Sequence, residues 1–309
     1  MRRLSVLLSL VLIFLLPSAH AQKSFGTPDW TAPLAPFRIA DNLFYVGSRD
    51  LASYLITTPA GNILINASLE SSPALIRASV EKLGFHWADT KILLNGQAHF
   101  DHVAGAAQVI RETHARNIVM EYDADVMRSG GASDFARQTD GLTPYPSTPV
   151  DRVLRDGDTV SLGDPKHGGV VLTAHRTGGH TRGCTTWTFR THVPGDAPGK
   201  LRDVVILGGF APLSGYRLVA TPGHPASYPG IADDFTHTFA TLRALPCDIF
   251  LGAHGAYFNM LPKLARMPQE GERVWIDPTG YQHTIDEAQR SFEANLARQR
   301  AQSGAAHGG

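Results

Sequence analysis

The segments Phe37 to Gly47, Leu51 to Thr57 and Gly61 to Asn66 are rich in β-branched, aromatic and other apolar residues. Turn residues part them, Pro59-Ala60-Gly61 among them, and the pattern predicts three strands in a meander. The period then changes. Ser72 reads as an N-cap with Pro73 at the first helical position, Ile76, Val80 and Leu83 keep helical spacing, and Gly84 closes the helix. Lys91 to Leu94 is a short strand of the buried type, followed by a polar loop, a helix from His102 to about Thr113 and a strand at Asn117 to Met120. From Gln138 to Asp151, Pro144, Pro146 and Pro149 exclude regular structure and mark a loop.

Strands resume at Thr159 to Leu162, Val170 to Ala174, Thr185 to Phe189 and Asp203 to Leu207, with Trp187 read as a core residue inside the third of these. Ile231, Phe235, Phe239 and Leu242 form a helical stripe, and Asp248 to Leu251 is another strand. Thr284 and Glu287 make a capping box before a last helix carrying Ile285, Ala288, Phe292 and Leu296. Two similar halves of strands and helices give an α+β chain. Facing the two sheets with helices outside would make a four-layer sandwich, although periodicity alone leaves other α+β arrangements open.

The first 21 residues stand apart from this pattern. Arg2 and Arg3 precede an apolar run of 13 residues, Leu4 to Leu16, and Ala19-His20-Ala21 is an A-x-A cleavage signature. A membrane-spanning helix needs roughly 20 apolar residues, so the run reads as an export signal of bacterial type, cut after Ala21. The rest, 22–309, reads as one domain. Removing 21 of 309 residues leaves 288, and losing two Arg from a balance of 28 basic and 28 acidic residues leaves 26 against 28, a formal charge of −2. The expected compartment is the periplasm or the medium. Such a charge offers no electrostatic case for nucleic acid or an anionic membrane as partner. Two Cys exclude a disulfide-dense scaffold and a four-thiolate zinc site.

Fourteen His are the one compositional item with chemical promise. In Asn95-Gly96-Gln97-Ala98-His99-Phe100-Asp101-His102, between a strand and a helix, Gln97 and His99 are two apart on extended backbone and point the same way. Asp101 and His102, at the turn into the helix, face a second point close by. Gly178-Gly179-His180-Thr181 and Gly252-Ala253-His254-Gly255 each add one His at a strand's C-terminal end among glycines, which let the backbone approach a shared centre. One buried His is more often a core residue; three such loops are poorly explained by packing.

These segments resemble the metallo-β-lactamase superfamily, whose pattern is His-x-His-x-Asp-His with two later His. The likeness covers nearly the whole mature chain. Asp41-Asn42-Leu43-Phe44-Tyr45-Val46-Gly47, Thr185-Thr186-Trp187-Thr188 and Leu245-Pro246-Cys247-Asp248, together with the His segments, resemble subclass B3 in particular. The resemblance implies an αβ/βα sandwich with metals at the sheet edge. It implies a first zinc at Gln97, His99 and His180 and a second at Asp101, His102 and His254. It further implies hydrolysis of the β-lactam amide of penicillins, cephalosporins and carbapenems by a zinc-bound hydroxide, with Asp101 orienting and passing a proton to the released nitrogen. Other branches use an Asp or Cys after the strand Asp203 to Leu207; Gly208-Gly209-Phe210-Ala211-Pro212 has none, which favours the B3 arrangement.

Gln97 stands where the pattern has His. An amide oxygen is a weaker zinc donor than imidazole, so the first site is expected to bind more weakly. Cys247 matches half of a disulfide of some members, but Tyr281 occupies the partner region and no bridge is expected. Asn66 reads either as support for a metal ligand or as a turn cap. Leu142 and Tyr145 are candidates for an apolar rim, and Ser214 or Tyr216 lies beyond the strand end where Phe210 and Pro212 replace the Ser of many members. Two other readings compete: a lactonase or thioesterase on the same fold, and a noncatalytic zinc-binding protein. The expected partner is a small-molecule β-lactam, with no nucleic acid, no membrane after cleavage, and a monomeric chain.

Overall fold

The computed structural model describes residues 26–137 and 141–305, so the segment 1–21 read as an export signal, and Gln138, lie outside the described residues. A seven-stranded sheet takes its strands in chain order: β1 (Phe37–Ala40), β2 (Leu43–Tyr45), β3 (Tyr54–Thr58), β4 (Gly61–Ile65), β5 (Thr90–Leu94), β6 (Arg116–Met120) and β7 (Arg152–Leu154). The first four pair antiparallel and the rest are parallel. A second sheet runs in the order β12 (Ile249–Gly252), β11 (Arg202–Leu207), β10 (Thr185–Thr191), β9 (Val170–Arg176) and β8 (Thr159–Leu162), with only β11 and β12 parallel.

Strand alternation sorts the apolar side chains into two layers. Tyr54, Ile56, Ile63, Ile65, Ile92 and Leu94 belong to one buried cluster together with Leu172, Ala174, Trp187 and Phe189 of the second sheet. The intervening Leu55, Leu64, Leu93 and Val119 belong to another cluster, with Ile76 and Val80 of α1 (Pro73–Lys82) and Val109 of α3 (Ala106–Thr113). On the far side, Phe235 and Phe239 of α5 (Ile231–Ala244) lie 5.2 and 5.7 Å from Phe292 of α7 (Pro278–Ala305). The four-layer α+β sandwich expected from the two halves is thus the observed architecture.

Three boundaries differ from expectation. The first strand is two, because the Asp41-Asn42 turn folds β2 back on β1. The helix after the polar loop is also two, α2 (Phe100–Val103) and α3, parted at Gly105, where a Cβ would fall 2.4 Å from the Ala67 carbonyl oxygen. The last helix begins at Pro278, so Thr284 and Glu287 lie inside it and form no capping box. Asp277 does the capping: its Oδ1 accepts the Gly280 N–H at 2.8 Å, and Pro278 takes the first helical position. Buried Tyr281, four residues before Ile285, extends the apolar stripe backward and donates its hydroxyl to the Leu242 carbonyl at 2.6 Å. Three elements have no counterpart in the expectation from sequence: β7, α4 (Asp123–Arg128) and α6 (Met260–Glu270), the last although its Met260, Leu264 and Met267 recur at helical spacing.

Candidate metal centre

Parallel strands deliver their C-terminal ends to one side of a sheet, and loops there converge. The loop from Asn95 to His99 leaves β5, Gly208 to Gly215 leaves β11, His254 follows β12, and the β9–β10 turn brings His180 to the same edge. Backbone bonds knit these loops together. The Thr185 N–H donates to the Gly96 carbonyl at 2.7 Å, and the Ala253 N–H to that of Leu207 at 2.8 Å. Trp187, buried as expected, donates its indole N–H to the Asn95 carbonyl at 2.8 Å.

Asp101, His102 and His254 have donor atoms all within 4.8 Å of one another. Asp101 Oδ2 lies 3.1 Å from His102 Nε2 and 3.4 Å from His254 Nε2. Beside them the His99 and His180 rings are 4.8 Å apart, nearly edge to face. Gln97 is buried two residues before His99, and its carbonyl oxygen finds no partner. His99 Nε2 and both ring nitrogens of His102 are equally without hydrogen-bond partners. A folded protein pairs nearly all of its buried polar atoms. Unpartnered ring nitrogens on two His and an unpartnered amide oxygen, clustered next to an anionic carboxylate, fit a bound cation of the zinc class.

The electrostatics of His99, His180 and Asp101 agree with that fit, while His254 would give up a proton on binding a cation. Burial lowers His99 well below its ordinary value and His180 to about 4, so both present neutral imidazoles at neutral pH. Burial would raise Asp101, but His102 and His254 hold it well below the usual carboxylate range. Burial also works against the charged form of His254; Asp101 and Asp50 outweigh it and push this His up to about 9.

Several groups around the centre carry no sequence motif. Asp50 accepts from His254 Nδ1 at 2.9 Å and from the Ala256 N–H at 3.0 Å, a carboxylate–histidine arrangement that fixes ring orientation. The Ala211 carbonyl pairs with His180 Nδ1 at 2.7 Å, and the Tyr216 hydroxyl donates to the His180 carbonyl at 2.5 Å. Trp30 lies 5.7 Å from the His254 ring, and Asp134 stands 3.5 Å from His99 Nε2. No spacing rule reaches these residues, because each is distant in sequence from the group it meets.

Asn66 touches no metal-ligand side chain. Its Oδ1 accepts the Gly96 N–H at 2.9 Å and its Nδ2 donates to the Ala52 carbonyl at 3.1 Å, bracing the backbone just before Gln97. Leu142 does line the cleft, while the buried Tyr145 lies behind it and donates to the Ala98 carbonyl at 2.7 Å. After β11, Gly209 leaves no room for a side chain: a Cβ there would sit 2.6 Å from the His180 ring. Cys184 is buried, accepts the Gly209 N–H at 2.9 Å and makes no disulfide; Cys247 is likewise a free thiol.

Trp30, Phe100, Leu142, Leu213 and Tyr257 wall a cleft of about 540 Å³ over His99, Asp101, His180 and His254, with Ser214 and Gly215 at its side. No Lys or Arg lines it among the described residues.

The sequence model of the metallo-beta-lactamase superfamily matches residues 50–254. The native FEZ-1 metallo-beta-lactamase from Legionella gormanii is 45% identical, with a TM-score of 0.80 over 87% of this chain and 98% of that one. BJP-1, a subclass B3 metallo-beta-lactamase of Bradyrhizobium japonicum, is 34% identical at a TM-score of 0.78, covering 89% and 98%. The class B3 di-zinc metallo-beta-lactamase LRA-12 from an Alaskan soil metagenome is 34% identical at 0.77, covering 88% and 97%.

Proposed function

The chain belongs to the metallo-β-lactamase superfamily and is a hydrolase of subclass B3, and from this we propose that it is an exported zinc-dependent β-lactamase. The observation that carries the proposal is the cluster of Asp101, His102 and His254 beside His99 and His180, with unpartnered ring nitrogens on His99 and His102 and an unpartnered amide oxygen on Gln97. Gln97, His99 and His180 would hold one zinc, and Asp101, His102 and His254 a second. Zinc supplies a Lewis acid and an acidified water at neutral pH.

The protein's own groups do the rest. Trp30, Phe100, Leu142 and Tyr257 hold a compact bicyclic amide over the centre and exclude water from its faces. With no Lys or Arg in the lining among the described residues, the Ser214 hydroxyl is the protein group left to hold the substrate carboxylate. Opening the ring adds water across the amide: the carbonyl carbon gains OH and the nitrogen gains H. Asp101, ionised and lining the cleft, takes up the proton that the attacking water gives up and passes it to that nitrogen. Asp50 and the Ala211 carbonyl keep His254 and His180 in fixed orientations while this happens.

The test is hydrolysis of a carbapenem and a penicillin by purified protein, with and without chelator, alongside metal counting. Turnover that chelator abolishes and zinc restores is the expected result. Zinc-replete protein that opens no β-lactam overturns the proposal. Processing of the first 21 residues is checked by N-terminal sequencing of protein recovered from the periplasm.

A further inference from the structure

The turn after His180 is gripped from both faces by two consecutive residues of a distant segment. On its inner face the Asp123 carboxylate accepts the Thr181 hydroxyl at 2.7 Å and the Gly183 N–H at 2.8 Å. On its outer face the Arg182 guanidinium lies 4.5 Å over the Tyr122 ring and 5.3 Å from that of Tyr228. Gly183 fits only without a side chain, since a Cβ would fall 2.3 Å from the Glu121 carbonyl oxygen. The backbone of Ala98, which lies between Gln97 and His99, also faces this carboxylate and favours its ionised form. Each of Gln97, His99 and His180 therefore has an immediate chain neighbour against this one carboxylate. Asp101, His102 and His254 have no such tie to it; His254 is oriented by Asp50 instead.

The arrangement is held at a cost. Asp123 is fully buried, and burial pushes it up to about 7 despite its hydrogen bonds. Tyr122 presents it from φ 70, ψ −44, a backbone region that a bulky L-residue avoids. Strain of this kind persists where surrounding structure enforces it, and it gathers at functional sites.

We propose that Asp123 is a positioning residue for the first metal subsite, clasping the loop of Gln97 and His99 to the turn of His180 through Ala98, Thr181 and Gly183. The inference rests on reading Gln97, His99 and His180 as that subsite. It assigns the clasp to one subsite only, a selectivity that a general structural role would not produce.

The experiment compares wild type, Asp123→Ala, Thr181→Val, Thr181→Ser and His180→Ala by cobalt titration, read in the visible spectrum, and by zinc competition against a chelator. Asp123→Ala and Thr181→Val are expected to weaken the first subsite by about tenfold or more and leave the second within about twofold, with Thr181→Ser restoring wild-type binding. The inference is overturned if both variants bind two metal ions as wild type does, if they lose both subsites equally, or if Thr181→Ser behaves as Thr181→Val. Should Asp123→Ala not fold, the Thr181 pair decides. Identical metal binding by wild type and His180→Ala would instead overturn the underlying reading of the subsite.

Discussion

Replacing Gly209 by Ala tests how tightly the centre is packed. Gly209 does not sit at positive φ, so any residue can adopt its backbone and only space decides the outcome. The new Cβ would lie 2.6 Å from His180 Cδ2, 2.7 Å from Cγ and 3.0 Å from Cβ. Carbon atoms in contact prefer about 3.5–4.0 Å, so ring or backbone must retreat by about 1 Å. The ring has little room to do so. Its Nδ1 is tied to the Ala211 carbonyl, its backbone carbonyl to the Tyr216 hydroxyl, and the His99 ring stands 4.8 Å away. Overpacking of this sort costs about 1–3 kcal/mol of stability. Metal sites tolerate displacements of only about 0.5 Å, so the first subsite should lose affinity by about tenfold while Asp101, His102 and His254 keep theirs. Denaturant unfolding of metal-free protein and zinc competition measure the two effects separately. A variant within about 0.5 kcal/mol of wild type and unchanged in metal affinity would refute the reasoning.

Other substitutions probe separate parts of the argument. Gln97→His should raise zinc affinity at the first subsite by about an order of magnitude, since imidazole replaces a neutral amide oxygen; unchanged stoichiometry and affinity would contradict this. Asp277→Ala removes the α7 cap and strands the buried Lys263 ammonium, 2.7 Å from the carboxylate, at an expected cost of about 3–5 kcal/mol in thermal or denaturant unfolding near pH 7. Burial opposes the ionised form of Asp277, but Lys263 and the Gly280 N–H prevail and lower it from 3.8. Its contribution is therefore present above that value and lost as pH falls through the lowered one, so the gap between variant and wild type should close on acidification. Burial pushes the Cys184 thiol up to about 12, so at pH 8 it should resist a thiol reagent in the folded protein, while two thiols should titrate after unfolding without reductant.

Most of the sandwich is legible in the chain because its strands obey period two. Tyr54 and Ile56 face one layer while Leu55 faces the other, and the same holds for Ile63, Leu64 and Ile65. Boundaries were less legible where two local signals compete. Thr284 with Glu287 satisfies the capping-box rule as well as Asp277 with Pro278 satisfies the N-cap rule, and only the burial of Tyr281 against Phe250 shows which one starts the helix. In the centre, Asp101, His102 and His254 were legible because each stands in a short motif at a strand end, and the structure places their donors together. The groups that hold them were not. Asp50 meets His254 across 204 positions, and Asp123 meets Thr181 and Gly183 across 58 and 60.

By itself the sequence determined most strands and helices, their apolar faces, the strand-end loops and the chemical types those loops carry, because these depend on local periodicity and on residues a few positions apart. It also raised the expectation that a first metal subsite with Gln97 in place of His binds zinc more weakly. Only the tertiary structure decided which groups orient the His, why Gly209 has no side chain, and that one buried carboxylate touches the neighbours of Gln97, His99 and His180. Those outcomes depend on sheet register and loop approach. A shift of about 1 Å there separates a hydrogen bond from a clash, and no pattern of residue types encodes a distance that fine.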